Sequence, residues 1–403
     1  MFVPNMLPDH DLPLDASDVD ILGDAGTDAV ERWMSFRADN HETPLHALPA
    51  LAAELGLASV HVKDEGSRLG LGSFKALGGA YAVTRLVLEE ASRRLGRQVD
   101  VGDLAAPEVR AVAATMTLAC ATDGNHGRSV AQGAQVAGAK AAIFVHSGVS
   151  DERVAAIGRF GAEMIRVEGN YDDSVARASK VAAERGWIIV SDTSWPGYER
   201  IPRLVMQGYT ALVRETLRRL PEPPTHVFLQ SGVGGFAASV AGHMALVLGD
   251  RCPTVVVVDP ARAACLVESA RAGRPVKVDQ SEATVMAMLE CYEPSLVAWR
   301  ILSRVADAFM TVDEDDALAA MNRLARPVGG DPAIVAGESG GAGFAGVVVA
   351  LRDEQARASI RLGASSRVLV INTEGATDPE LYRRLVGMDV AEVLGSNATP
   401  RAA

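Results

Sequence analysis

Val60-His61-Val62-Lys63-Asp64-Glu65 alternates apolar and polar side chains with the period of a strand, and Gly66-Ser67-Arg68 turns out of it. A long amphipathic helix follows over residues 76–94. From about residue 110 the pattern becomes regular. Strand-like 111–121 leads through the polar turn Thr122-Asp123-Gly124-Asn125-His126-Gly127 to a helix ending near Ala137. Strand 141–146, a helix over 150–160 capped by Ser150 or Asp151, and strand 162–167 come next. Residues 169–172 then turn into a helix ending near Gly186, followed by strand 187–191. Alternating strands and helices of this size imply parallel strands joined by crossovers. Residues 192–198 break the pattern. A helix over 201–220 stops at Pro221, Pro223 and Pro224. Strand 226–230 runs into Ser231-Gly232-Val233-Gly234-Gly235-Phe236 and a helix to Leu248; strand 254–258 and helix 260–272 follow. Residues 273–312 show no clear period, 313–324 are helical, 331–351 hold one or two helices, and 368–371 form the last core strand. At the ends, 1–40 reads as a loose arm with a short helix over 27–37, and 393–403 as a loose tail. Residues 49–55 form a short helix opened by Pro49.

This pattern predicts an α/β chain of two domains, each an open, mostly parallel sheet flanked by helices. The regular block 100–192 is the small domain; 1–99 and 193–403 form the large one. The 403-residue length suits two domains. The 48% hydrophobic and 22% charged shares are those of a soluble globular protein. A net charge of −12 argues against nucleic acid or an anionic membrane as partner. No apolar run spans a bilayer. The acidic, proline-containing start lacks the features of a signal peptide, which points to the cytoplasm. Cys120, Cys252, Cys265 and Cys291 form no CxxC pair and no zinc spacing, so no metal site is expected and free thiols are the default. Cys265 and Cys291 could still meet across a loop.

Only five lysines occur, at 63, 75, 140, 180 and 277. Lys75 stands out, because small and apolar residues surround it in Leu71-Gly72-Ser73-Phe74-Lys75-Ala76-Leu77-Gly78-Gly79-Ala80-Tyr81. Desolvation there would favour the neutral, nucleophilic amine that a carbonyl cofactor needs. The same residues also fit a lysine at a helix start that snorkels to water. Gly232 to Gly235, between strand and helix, could aim amides and a helix N-terminus at a phosphate. It matches neither the dinucleotide nor the P-loop spacing, and a plain tight turn is the alternative. Residues 122–127 could hold a carboxylate or an aromatic hydroxyl, or simply cap their own helix through Asp123 or Asn125. Asn372-Thr373-Glu374-Gly375 also follows a strand, where ligands of open α/β sheets sit. Several such loops, one lysine and no metal spacing point to pyridoxal 5′-phosphate.

The ordered set Ser73-Phe74-Lys75, Asp123-Gly124-Asn125-His126-Gly127, Gly232-Val233-Gly234-Gly235 and Thr373-Glu374-Gly375 resembles the tryptophan-synthase-β superfamily of pyridoxal-phosphate enzymes, fold type II, over about 40–385. Within it, 74–81, 122–127 and Asp192-Thr193-Ser194-Trp195-Pro196-Gly197-Tyr198 are similar to the diaminopropionate ammonia-lyases. Many relatives in the superfamily carry serine at the position of Asp123. The resemblance implies that Lys75 joins the cofactor's aldehyde and that Gly232 to Gly235 hold its phosphate. It places Asn125 on the ring hydroxyl and Thr373 at the pyridine nitrogen, with Phe74, Val233 and Phe236 beside the cofactor. Ser73, Thr122, Asp123, His126 and Asp192 would face the substrate. The implied reaction is α,β-elimination of 2,3-diaminopropionate to pyruvate and two ammonia. Asp123 and Asp192 would recognise the β-ammonium, and Asp123 would be the base on the face opposite Lys75, so that both enantiomers react. The implied assembly is a homodimer. The alternatives are a serine/threonine-type dehydratase or other β-eliminating relative, a non-catalytic binding protein, and a nucleotide-binding protein using the Gly232 loop.

Overall fold

Val255-Val256-Val257-Val258 and Val227-Phe228-Leu229 leave no polar face for water, so their strands need cover on both sides. The computed structural model, which describes residues 1–122, 124–280 and 282–397, supplies it. Val255 and Val257 face one hydrophobic cluster with Leu77, Val205 and Ala237. Val256 and Val258 face another with Ala320, Phe344 and Val347. The strands belong to a seven-stranded sheet in the order Phe2–Pro4, Ala308–Val312, Thr254–Pro260, His226–Gln230, Arg367–Asn372, Ser59–Asp64, Leu45–Ala47. The inner pairings are parallel and the two edge strands are antiparallel.

The second sheet has four parallel strands in the order Glu163–Val167, Lys140–His146, Thr117–Ala121, Ile188–Ile189. Here too alternate residues divide between two faces. Leu118, Cys120, Ile143 and Val145 join the main core, while Ala119, Ala142 and Phe144 pack with Ala178 and Val181 of the helix Tyr171–Arg185. The α/β architecture with two flanked, mostly parallel sheets is as the periodicity implies.

One helix lies at the centre of the packing. Lys75–Leu95 is pinched against helices Asn125–Ala137 and Arg200–Arg219 at positions that admit only glycine. A Cβ on Gly78 would lie 2.5 Å from the Tyr209 ring, one on Gly79 2.7 Å from Ser129 Oγ, and one on Gly208 2.7 Å from the Leu77 carbonyl oxygen. Close backbone approach of this kind fixes where the helix starts, and so where Lys75 stands.

Three stretches differ from expectation. The strand expected over 111–121 is confined to Thr117–Ala121, because 111–113 belong to the helix Pro107–Ala113, which Pro107 opens in its first turn. The N-terminal arm is ordered. Phe2–Pro4 pairs with Ala308–Val312 at the sheet edge, and helices Ala16–Leu22 and Asp24–Ser35 follow. A three-residue edge strand carries too short a pattern to be read without its partner. Val390–Gly395 is a helix opened by an Asp389 capping box, so only residues beyond it remain of the expected tail, and 398–403 lie outside the described residues.

Candidate active site

The strand ends that matter converge. Thr117–Ala121, Ile188–Ile189, His226–Gln230 and Arg367–Asn372 each end just before a stretch singled out in the sequence, as ligand loops of open α/β sheets do. Lys75 opens its helix directly after a small antiparallel bridge, in which Ser73 pairs with Glu374. The Phe74 N–H donates to the Thr373 carbonyl at 2.9 Å and the Gly375 N–H to the Gly72 carbonyl at 3.0 Å. On its other side the Phe74 ring packs 4.5 Å from Phe236, in the first turn of Gly235–Leu248, and 4.7 Å from Tyr209. Two independent supports therefore set the position of Lys75.

Its amine is not in open water. Lys75 Nζ donates to Asp192 Oδ2 at 2.5 Å, with both side chains about four-fifths buried. Burial by itself disfavours the ammonium, but the Asp192 carboxylate outweighs it and raises the lysine's pKa. The expectation that desolvation alone would favour the neutral amine is thus corrected: in this state the amine is a paired ammonium. Asp192 also pays a burial cost, which the Lys75 ammonium outweighs, so its carboxyl stays well below the usual carboxylate range.

Asp192 is itself held. The Tyr198 hydroxyl accepts from the Ser191 N–H at 3.0 Å and donates to the Ile189 carbonyl at 2.8 Å. The Ser194 N–H donates to Ser295 Oγ at 3.1 Å, and the Ser295 N–H donates to the Val233 carbonyl at 2.9 Å. The aspartate loop is therefore laced to the glycine loop.

In that loop Gly234 adopts φ +99°, which disfavours any side chain, and a Cβ there would press within 3.0 Å of Ala298 Cβ. A Cβ on Gly232 would lie 2.9 Å from Cys291 Sγ, whereas one on Gly235 would meet nothing nearer than the Asp192 carbonyl oxygen at 3.5 Å. The helix Gly235–Leu248 has no side-chain cap, so its first-turn amides are left for an anion. Cys265 Sγ donates to the Gly232 carbonyl at 3.4 Å. The featureless 273–292 stretch brings Cys291 to the other side of the same loop, yet both cysteines are free thiols.

Helix Asn125–Ala137 begins without a side-chain cap from its own N-cap residue, Gly124. Thr122 does that work, its hydroxyl accepting from the N–H groups of Gly124 and Gly127, each at 3.1 Å. Asp123 lies outside the described residues. His126 pairs through Nε2 with the Val190 carbonyl at 2.8 Å, leaving Nδ1 without a partner among the described residues, 3.8 Å from Asp192 Oδ2. Burial lowers its pKa in spite of Asp192, so it is a neutral ring. Asn125 donates from Nδ2 to Glu374 Oε2 at 2.6 Å and accepts at Oδ1 from Arg128 Nη2 at 2.6 Å. Thr373 Oγ1 accepts from Gln230 Nε2 at 2.9 Å, and its own hydroxyl proton is still available.

Two carboxyls went unnoticed as site residues in the sequence. Glu374 and Glu338 are almost fully buried. Burial, and then the charge of Glu338, push the Glu374 carboxyl up to about 7. Burial likewise raises Glu338. The only signal for Glu374 was its place beside Thr373.

These residues fit pyridoxal phosphate. The uncapped glycine turn suits a phosphate, and Lys75 is the single amine beside it. Among the described residues the buried atoms Ser73 Oγ, His126 Nδ1 and Glu374 Oε1 find no partner, as atoms awaiting a polar ligand would.

Comparison with known proteins agrees. The family described as pyridoxal-phosphate dependent enzyme matches residues 37–374. A diaminopropionate ammonia-lyase of Escherichia coli strain K12 is 41% identical over 352 residues, covering 85% of this chain and 87% of its own. The crystal structure of the Escherichia coli diaminopropionate ammonia-lyase in complex with D-serine superposes with a TM-score of 0.84 at 34% identity, covering 96% of both chains. The apo form of that enzyme gives 0.78 at 32% identity, covering 96% of this chain and 95% of that one. The chain belongs to the pyridoxal-phosphate-dependent enzymes, and within them to the diaminopropionate ammonia-lyase family.

Proposed function

We propose that this chain catalyses the α,β-elimination of 2,3-diaminopropionate to pyruvate and two ammonia. The observation that carries the reading is the Lys75 amine, paired at 2.5 Å with Asp192 and tied through Ser194, Ser295 and Val233 to an uncapped glycine turn. Gly232 to Gly235 would hold the phosphate, Asn125 the ring oxygen and Thr373 the pyridine nitrogen, with Val233 and Phe236 beside them. When bound, the cofactor supplies an electrophilic aldehyde and a ring that stabilises negative charge at the substrate Cα.

The remaining work falls to the protein. Lys75 takes the Cα proton on its own face. The Asp192 carboxylate would bind the cationic β-amino group, which distinguishes this substrate from serine or threonine. Pairing with the Lys75 ammonium holds Asp192 as a carboxylate, and a cationic β-amino group in its place would do the same. His126, neutral and pinned to Val190, orients beside Asp192 without adding a competing positive charge. Ser73 and Thr122 border the substrate side. Asp123 is the base for the opposite face, where Lys75 cannot reach.

Pyruvate release by purified, cofactor-loaded protein tests this directly, with each diaminopropionate enantiomer set against serine and threonine. Comparable turnover of serine or threonine would instead make it a dehydratase. Asp123→Asn is expected to lose one enantiomer selectively, and equal retention of both would remove the second base from the scheme.

We also propose a cytoplasmic homodimer acting in amino-acid catabolism, on the same resemblance; sedimentation of the purified chain tests the dimer. The division into 100–192 and the remainder is supported by strand membership, since each sheet draws all its strands from one side of it.

A further inference from the structure

Asn125 stands between a group that only donates and a group that, when ionised, only accepts. The Arg128 guanidinium donates to Oδ1 and Glu374 Oε2 receives from Nδ2, each at 2.6 Å. The amide cannot be flipped between such neighbours, because flipping would set an N–H against a guanidinium and an oxygen against a carboxylate. Nδ2 carries two hydrogens. One goes to Glu374, and one remains.

A simple structural role does not explain a carboxyl at this position. Glu374 is almost fully buried, and so is Glu338 beside it. Burying two like charges together is costly, and a neutral side chain would fill the space more favourably. Arg128, Arg153 and the Lys75 ammonium are positive charges that face Glu374, and Asp378 adds a further negative charge near Glu338. Backbone contacts already hold the segment: the Gly337 N–H donates to the Glu374 carbonyl at 2.9 Å, and Ser73 pairs with Glu374 across the bridge. What the carboxylate adds is a second constraint, beside Arg128, on the direction of the Asn125 amide.

We infer that Glu374 is a positioning residue: with Arg128 it fixes the Asn125 amide so that the remaining N–H is presented to the cofactor's ring oxygen. This rests on the reading of the chain as a pyridoxal-phosphate enzyme with Asn125 at that oxygen. Glu374 acts through Asn125 and performs no step itself.

The test is a thermodynamic cycle on cofactor affinity. Apo-protein is titrated with pyridoxal phosphate, following the visible band, for the parent, Glu374→Gln, Asn125→Ala and the double variant. Gln keeps the shape but can turn its own N–H toward Asn125, so Arg128 alone is left to hold the amide's direction. Glu374→Gln is expected to weaken binding about tenfold, and the double variant to bind like Asn125→Ala alone. The melting temperature of apo Glu374→Gln is expected to equal or exceed the parent's, since a buried charge has been removed. Unchanged affinity in Glu374→Gln would overturn the inference. So would a double variant about tenfold weaker than Asn125→Ala, because Glu374 would then act independently of Asn125. A parent that develops no visible band would instead defeat the cofactor reading on which the inference stands.

Discussion

At the residue scale the decisive fact is a competition between burial and pairing. Burial pushes an amine toward its neutral form, while a carboxylate at 2.5 Å pulls it back to the ammonium. In Lys75 the carboxylate prevails. Asp192→Asn removes the largest opposing charge, so the Lys75 pKa should fall. Attachment to pyridoxal phosphate needs the neutral amine. Stopped-flow absorbance should therefore show faster attachment near pH 7 in apo Asp192→Asn than in the parent, with the parent catching up as pH rises. Glu374 offers a second pH signature. Its carboxyl is pushed from an ordinary value near 4.5 up to about 7, so between those values the folded chain holds a proton that the unfolded chain has released. Stability of the apo-protein should then fall as pH rises through that window, by on the order of 3 kcal/mol. Denaturant titrations at pH 5 and pH 7.5 should show this loss, and Glu374→Gln should remove most of it. Sequence marked Lys75, Asn125, Asp192 and Thr373 as residues of interest. Glu374 entered only as part of the 372–375 loop, without a role, because a glutamate beside a glycine turn looks like any solvated glutamate until its burial is known.

At the element scale, the start of helix Lys75–Leu95 is set by backbone contact. A methyl group at Gly208 would meet the Leu77 carbonyl oxygen at 2.7 Å and Gly78 Cα at 2.8 Å, both backbone atoms with little room to yield. Gly208→Ala should cost about 2 kcal/mol of stability, seen as a lower melting temperature, and should weaken cofactor binding by displacing the Lys75 turn. The periodicities of 3.6 and 2 made most of these elements legible. Helix 201–220 and strand 226–230 lie within a residue of Arg200–Arg219 and His226–Gln230. Where the pattern misled, as at 111–116, a run of mostly small apolar residues suits helix and strand alike.

At the scale of the whole molecule, a buried charge network joins the large sheet to a distant helix. Lys63 Nζ and Arg68 Nη1 each donate to a Glu215 carboxylate oxygen at 2.8 Å, and Glu65 takes Arg68 Nε at 2.8 Å. Lys63, Glu65 and Arg68 have no exposed surface. Glu215→Ala would leave two cations against a single carboxylate in the interior. The expected loss is about 3–5 kcal/mol by calorimetry, well beyond that of a surface ion pair. Alternation along 60–65 places Lys63 on a polar face, as for an ordinary half-exposed strand; the strand lies inside the sheet and the lysine is buried with its counterions.

The chain's own sequence determined the α/β class, the parallel strands and the loops that could carry chemistry, because backbone periodicity and glycine placement act over a few residues. Tertiary structure alone decided which charges meet: Lys75 with Asp192, Asn125 with Glu374, Lys63 with Glu215. Those partners are 117, 249 and 152 residues apart. No local pattern encodes such a pairing, since it exists only once strands distant in the chain lie side by side and water has been excluded between them.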